Sequence, residues 1–351
     1  VASRGLEMCI RDRQYRFRII WKNYFMTILL NSEEIKKCVE LNEQLIPIIE
    51  DAFKNLALGK TTMPPILRLD IEQYHGESDV KAAYIDGLDS YAIKIASGFF
   101  NNPKLGLPSS NGLMILLDSE TGVLKSVLLD KGYLTDVRTA IAGAIAAKYL
   151  SNPQSTKAGI IGAGIQAKLQ LQALSLVRDI ETAFIWARDQ EKINKFINEL
   201  KNLNINIQSC TSIEEVVNKS EILVTTTPSK SPLIKNEWLK KGLHITAMGS
   251  DAESKNELDP VIIKECDLYI PDSLSQTKIL GELHHAIEKN LISSNEKYYE
   301  LGNIILDPSL GRKNKEDITV CDLTGTGVQD TAIARQTYEI AMNLKLGTKI
   351  E

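Results

Sequence analysis

KAGIIGAGIQAK, residues 157–168, is the stretch that decides the fold. The apolar run ahead of Gly162 reads as a buried strand, and the text after Gly164 reads as a helix. Between them, Gly162-x-Gly164-x-x-Ala167 allows a tight turn. It brings the backbone amides of residues such as Ile165 and Gln166 against a pyrophosphate, at a helix start that carries partial positive charge. A bare GxGxxA is a weak signal, and the strand–turn–helix setting is what strengthens it. The competing reading is a glycine turn in a nucleotide-free domain.

Downstream the same grammar repeats. ETAFIWARD (181–189), INIQSC (205–210), SEILVTTT (220–227), HITAMG (244–249) and LYIPD (268–272) are short apolar runs separated by helical text. That alternation predicts a parallel sheet with crossover helices. The second strand should end where the adenosine ribose is read. Ala187 stands there, followed by Arg188 and Asp189. An arginine without a leading acid suits a 2′-phosphate, so NAD(P) is expected, with NADP favoured by Arg188. The alternative for Arg188 is a plain surface charge. HITAMG delivers Asp251 to the carboxyl edge of the sheet, where open α/β sheets do their chemistry. A carboxylate beside a substrate amine can move protons there; its competing role is a cap on the next turn. Glu253 and Glu257 read as solvated.

Upstream, residues 27–58 read as a strand and a helix. Residues 66–130 break into short alternating segments with turns, the pattern of an antiparallel sheet. Lys94, inside YAIKIAS, is costly in an apolar strand unless it has a task. Lys81 competes with it, or is an edge-strand charge. TDVRTAIAGAIAAKYL (135–150) predicts a small-residue helix capped by Thr135. At the far end, ITVCDLTGTGVQD leads into a long helix, with Asp330 read as its cap. The fold class is therefore α/β: a Rossmann-type doubly wound parallel sheet plus a second α+β domain for substrate binding and dimerisation.

Composition narrows the function. A formal net charge of −4 leaves no basic excess for nucleic acid. Cys9, Cys38, Cys210, Cys266 and Cys321 are scattered, which suggests neither a disulfide framework nor a zinc site. His284 and His285 are neighbours whose side chains should point in different directions, so no metal is expected. No apolar run reaches the ~18 residues of a membrane span. Residues 1–25 contain RGLEMCIRDR, which resembles translated adaptor sequence. They are expected to be a non-native extension ahead of Met26, on a cytoplasmic protein.

Taken in order, MPPILR, AIKIASGF, NNPKLGLPSSNG, LTDVRTAIAGAIAA, GAGIQAK, VTTTP, MGSDAESKNELD and DLTGTGVQD resemble the ornithine cyclodeaminase/mu-crystallin family, and within it the bacterial members associated with ectoine use. The resemblance implies that Arg68, Lys94 and Arg138 hold a substrate carboxylate and that Thr324 faces the substrate. It makes Asp251 the general acid/base, with Lys94 beside it in the catalytic set. Ser109, Arg138, Gly162, Gly164, Ile165, Gln166, Arg188, Thr225, Thr227, Gly249, Ser250, Lys255 and Leu323 are the implied cofactor contacts. Gly249-Ser250 stands where the family has two glycines. The implied reaction is cyclodeamination of a small basic amino acid, ornithine to proline and ammonia, through transient hydride transfer to a nicotinamide. With 2,4-diaminobutyrate the same step gives a strained four-membered ring, which favours instead a ketimine or imine reductase or an amino-acid dehydrogenase on the same scaffold. A crystallin-like NADP-binding protein without turnover is the non-enzyme alternative. The family pattern assigns 26–140 with 320–351 to the substrate domain of a homodimer and 141–319 to the nucleotide domain.

Overall fold

The computed structural model describes residues 26–351; the extension expected at 1–25 lies outside them. The chain opens with β1 (Thr27–Asn31), α1 (Ser32–Cys38) and α2 (Leu45–Ala57). The strands β2 (Thr61–Thr62), β3 (Leu67–Ile71), β4 (Gly76–Ile85), β5 (Ser90–Phe99), β6 (Ser110–Asp118) and β7 (Leu124–Leu129) follow. Next come α3 (Tyr133–Leu150), β8 (Lys157–Ile161), α4 (Ile165–Leu174), β9 (Thr182–Trp186), α5 (Gln190–Glu199) and β10 (Asn206–Ser209). Then α6 (Ile213–Lys219), β11 (Ile222–Thr225), β12 (His244–Ala247), α7 (Pro260–Glu265), β13 (Leu268–Pro271), α8 (Leu274–Thr277), α9 (Glu282–Glu288) and α10 (Leu301–Leu306) alternate. The chain closes with β14 (Thr319–Asp322), α11 (Gly327–Leu344) and β15 (Thr348–Ile350).

Two sheets result. One runs β15-β1-β7-β6-β5-β4-β2, with β3 also on β4. It is antiparallel except for the β1–β7 pair. The other is wholly parallel, in the order β10-β9-β8-β11-β12-β14-β13. Strands β8, β11, β12 and β14 have almost no exposed side chains, because crossover helices cover both faces. Strand β14 lies in the parallel sheet while α11 packs on β4 and β5 of the other. The chain therefore crosses between the two sheets at residues 323–326, and its second crossing is the α3 region.

Helix α3 is apolar on every side: eleven alanine, glycine, leucine, isoleucine and valine positions from Leu134 to Leu150 are buried, along with Arg138. Such a helix belongs between layers, and it packs against α2, α4, α11 and the ends of β12 and β14. Thr135 does not cap it. The helix starts two residues earlier, at Tyr133. Gly132, with φ +87°, turns the chain back so that Asp130 Oδ2 accepts from the Leu134 amide at 2.8 Å.

Candidate active site

The carboxyl ends of the parallel strands face the antiparallel sheet across a cleft of about 340 Å³. A second hollow, about 450 Å³, is lined by Lys157, Glu221 and Lys240 at the amino ends of β8, β11 and β12. It lies at the wrong edge for the usual ligand position of an open sheet.

The nucleotide wall is mostly backbone. Gly162 has φ +114°, and a Cβ there would stand 2.5 Å from Thr226 Oγ1, so only glycine fits. Gly164 is the N-cap of α4, with no side chain capping the helix, and Gly164, Ile165 and Gln166 line the cleft. The first amides of α4 are thus left to a ligand, as the glycine motif requires for a dinucleotide phosphate. Past β9, Arg188 is exposed. The carboxylate of Asp189 accepts from the amides of Glu191 (2.9 Å) and Lys192 (3.4 Å), and so is spent on capping α5. Ser109, Thr227, Gly249, Lys255 and Leu323 also line the cleft, as expected. These residues fit a nicotinamide dinucleotide.

Two expected cofactor contacts lie elsewhere. Thr225 is fully buried, and its Oγ1 donates to Glu257 Oε2 at 2.6 Å; the next residue, Thr226, reaches the cleft instead. The last strand position points into the protein, and the alternation of β11 turns the following one outward. Ser250 is buried, with its hydroxyl donating to the Lys255 carbonyl.

Glu257, expected in solvent, is 0% exposed. Its Oε1 accepts from Thr227 N (2.6 Å) and Thr227 Oγ1 (2.7 Å). Its Oε2 accepts from Thr225 Oγ1 and from Gly249 N at 2.8 Å. One carboxylate thus ties the loop after β11 to the loop after β12. A methyl group on Gly249 would collide with that carboxylate and with the Thr227 carbonyl. Burial pushes the Glu257 carboxyl up, against the pull of these donors. Its amide in turn donates to Glu282 Oε1 at 2.9 Å.

On the rim, 40% of the Asp251 side chain is exposed to the cleft, and its Oδ1 lies 2.7 Å from Lys255 Nζ. Lys255 Nζ also reaches Glu77 Oε1 at 2.9 Å. Desolvation raises the Asp251 carboxyl, but Lys255, Lys81 and Arg68 together outweigh it and hold the carboxyl below its usual range. Asp251 is therefore an ionised acid facing the cavity.

The opposite wall gathers charge that the fold has buried. Lys94 is 2% exposed, and its Nζ is 3.0 Å from Asp330 Oδ2, within ion-pair range but off the axis of a good hydrogen bond. Arg138 Nε donates to Asp330 Oδ1 at 2.9 Å. Asp330 does not cap α11. Thr326 and Gln329 do, in a reciprocal capping box, and Asp330 turns inward one position later to serve both cations. Lys81 is no edge charge either. It is buried, and its Nζ donates to the carbonyls of Thr324 (3.1 Å) and Gly325 (2.9 Å). Desolvation first, then Arg138, push Lys94 down to about 7; Asp330 opposes them.

Arg68 departs from expectation. It does not line the cleft, and it pairs instead with Glu77 (2.6 Å), Asp70 (3.0 Å) and Asp79 (3.3 Å), backing the two rim acids Glu77 and Asp79. The hairpin register sets Arg68 opposite Asp79, and local acids capture the guanidinium. Thr324 lines the cleft with its hydroxyl donated to Asp272 Oδ1 at 2.8 Å. Asp272, a missed residue, also accepts from the Gly325 amide at 2.8 Å. It carries a signal like that of Asp251, an acid just past the end of a strand of the parallel sheet. His284 and His285 do not point apart; their rings meet at 5.1 Å. Among the described residues no helix is long and apolar enough to cross a membrane.

Comparison with known proteins places this geometry. An uncharacterised cyclodeaminase of Sinorhizobium fredii is 51% identical over 92% of this chain and 98% of its own length. An archaeal alanine dehydrogenase dimer with bound NAD superposes with a TM-score of 0.85 at 35% identity, over 93% of this chain and 99% of that one. The Δ1-pyrroline-2-carboxylate reductase of Thermococcus litoralis, in complex with NADH and L-proline, gives 0.87 at 30% identity over 92% of this chain and 100% of that one. Residues 26–345 match the family model as a whole, and the chain belongs to the ornithine cyclodeaminase/mu-crystallin family.

Proposed function

We propose that the cleft binds a nicotinamide dinucleotide along α4 and a small α-amino or α-imino acid between its two walls, and that it exchanges a hydride at Cα in a net redox reaction, as an imine reductase or amino-acid dehydrogenase. The observation that carries this is the polarity of the cleft. Lys81, Lys94 and Arg138 answer to Asp330 on one wall, which leaves positive charge for one carboxylate. On the rim, Asp70, Glu77, Asp79 and Asp251 answer to Lys255 and Arg68, which leaves an excess of negative charge for a protonated nitrogen. That polarity fits an α-amino or α-imino acid lying with its carboxylate on one wall and its nitrogen on the other.

A bound nicotinamide supplies the hydride chemistry. The chain supplies orientation and the proton. The three buried cations would hold the carboxylate and so orient Cα within the cleft. Ionised Asp251 draws the protonated nitrogen towards it. It takes that nitrogen's proton when an amino acid is oxidised and returns it when an imine is reduced. Lys255, at 2.7 Å, steadies the carboxylate whenever it is ionised. Exposed Arg188 and the spent carboxylate of Asp189 support NADP over NAD.

Redox-neutral cyclodeamination of an ornithine-like diamino acid is the second reading, favoured by the Sinorhizobium relative's name and by the extra acids at the rim. One assay separates the two. Net NAD(P)H consumption with pyruvate plus ammonia, or with a cyclic imino acid, supports the first. Ornithine converted to proline and ammonia with no net change at 340 nm replaces it with the second. Asp251→Asn should lower kcat by ~10²–10⁴ in either case while cofactor binding persists; an unchanged kcat rejects the role given to Asp251. Cofactor binding with neither turnover rejects both, in favour of a crystallin-like binding protein. Residues 26–140 with 323–351 form the substrate half and 141–322 the nucleotide half; the expected boundary at 320 falls inside β14, a strand of the parallel sheet. Exposed Leu67, Leu69, Leu105 and Leu107 on and beside the antiparallel sheet support a homodimer, which light scattering would test.

A further inference from the structure

Away from the cleft, α9 brings three ligand-type side chains together: His284, His285 and Glu288. One ligand atom from each lies within 4.8 Å of the other two. His284 Nε2 is 3.5 Å and His285 Nδ1 is 3.6 Å from Glu288 Oε2. Bonds of about 2.1 Å to a tetrahedral cation place neighbouring ligands ~3.4 Å apart, so the carboxylate–imidazole spacings are already close to those of a loaded site.

The remaining ring nitrogens have partners of their own. His285 Nε2 is 2.7 Å from the Lys255 carbonyl, and His284 Nδ1 is 3.4 Å from the Lys278 carbonyl. A carbonyl only accepts, so the proton of each neutral ring sits on these nitrogens. The lone pairs are left on the two nitrogens that face Glu288. Outer carbonyls orient metal-ligating imidazoles in this way.

We propose that His284, His285 and Glu288 bind a divalent cation of the zinc class, with water completing the coordination. Two imidazoles and one carboxylate suit Zn²⁺, Co²⁺ or Ni²⁺ rather than Ca²⁺ or Mg²⁺, which prefer all-oxygen sites. The cation takes no part in the reaction. The Lys255 carbonyl that holds His285 also accepts the Ser250 hydroxyl, and Lys255 Nζ holds Asp251. Ligation through His285 Nδ1 keeps the proton on Nε2, and so holds the hydrogen bond that joins α9 to the loop carrying the rim acid.

The test uses the full chain stripped with a chelator and titrated with Co²⁺ and then Zn²⁺. One equivalent of Co²⁺ should bind with the visible absorption of a low-coordinate nitrogen–oxygen site, and Zn²⁺ should displace it. His285→Ala and Glu288→Gln should each weaken binding at least about tenfold. Glu288 is more than half exposed, so its variant keeps the fold and a loss there reports ligation. No saturable binding overturns the proposal; the two histidines then merely ion-pair with Glu288. Binding that both variants leave unchanged also overturns it, because the cation then sits elsewhere.

Discussion

The two walls of the cleft are built by opposite means. The nucleotide wall is local: a turn, a helix start and two strand-end loops within one sheet, presenting backbone. The substrate wall is assembled from afar. Asp330 reaches Arg138 across 192 residues of chain, and Lys81 reaches Thr324 across 243. Backbone in water-filled space is forgiving. Buried charge is not, because each ion removed from solvent depends on its partner. The substrate wall should therefore couple activity to stability, while the nucleotide wall should lose affinity without losing the fold.

The largest expected effect tests that division. Asp330→Asn keeps the volume but leaves Lys94 and Arg138 unbalanced. Lys94 can shed its proton; Arg138 cannot. We expect a loss of about 3 kcal/mol in denaturant unfolding, together with loss of turnover. An Asn variant of native stability would show that the wall is not an interdependent ion cluster.

Lys94 sharpens the same point through pH. In the fold it titrates near 7, against an ordinary value of 10.5. Above pH 7 the free enzyme loses one of three cations for the substrate carboxylate, so kcat/KM should fall by about tenfold per unit. Stability should move the other way. Between pH 7 and 10.5 the unfolded chain holds a proton that the folded site has released, so this group's contribution rises with pH. Lys94→Met should remove both trends. A pH profile flat from 7 to 9 in the wild-type protein would contradict the assignment.

The nucleotide wall offers the milder counterpart. Glu257→Gln replaces an acceptor for four donors with a group that is itself half donor. The loops bearing Thr227 and Gly249 should loosen, raising KM for the cofactor about tenfold with kcat changed less. Equal losses in kcat and thermal stability would place Glu257 with the substrate wall instead.

The same contrast explains what could be read before the structure was known. The glycine turn, the parallel sheet and Asp251 at its carboxyl edge were legible because spacing along the chain encodes them. Glu257 was not: in a run of charges it looks solvated, and its hydroxyl partners come from a loop about 30 residues away. For Asp330 the sequence itself carries the argument against a capping role. Thr326-Gly-Val-Gln329 is itself a capping box, which leaves no capping work for the next residue. Arg68 was decidable in principle, since Asp70, Glu77 and Asp79 all lie on its own hairpin and register alone puts Asp79 opposite it.

The smallest effect concerns the outer end of the nucleotide wall, where side chain and backbone share the work. Arg188 is exposed at the end of β9, and the neighbouring acid is occupied by the amides that open α5. A 2′-phosphate gains a charge-assisted contact there; a 2′-hydroxyl finds no free carboxylate to accept its proton. Arg188→Ala should therefore cost NADPH about tenfold in kcat/KM and leave NADH nearly unchanged, with no shift in melting temperature. If the variant instead loses both cofactors equally, Arg188 serves the shared part of the dinucleotide. If NADH is preferred from the outset, the ribose is read by backbone alone, and the local wall discriminates less than exposed Arg188 suggests.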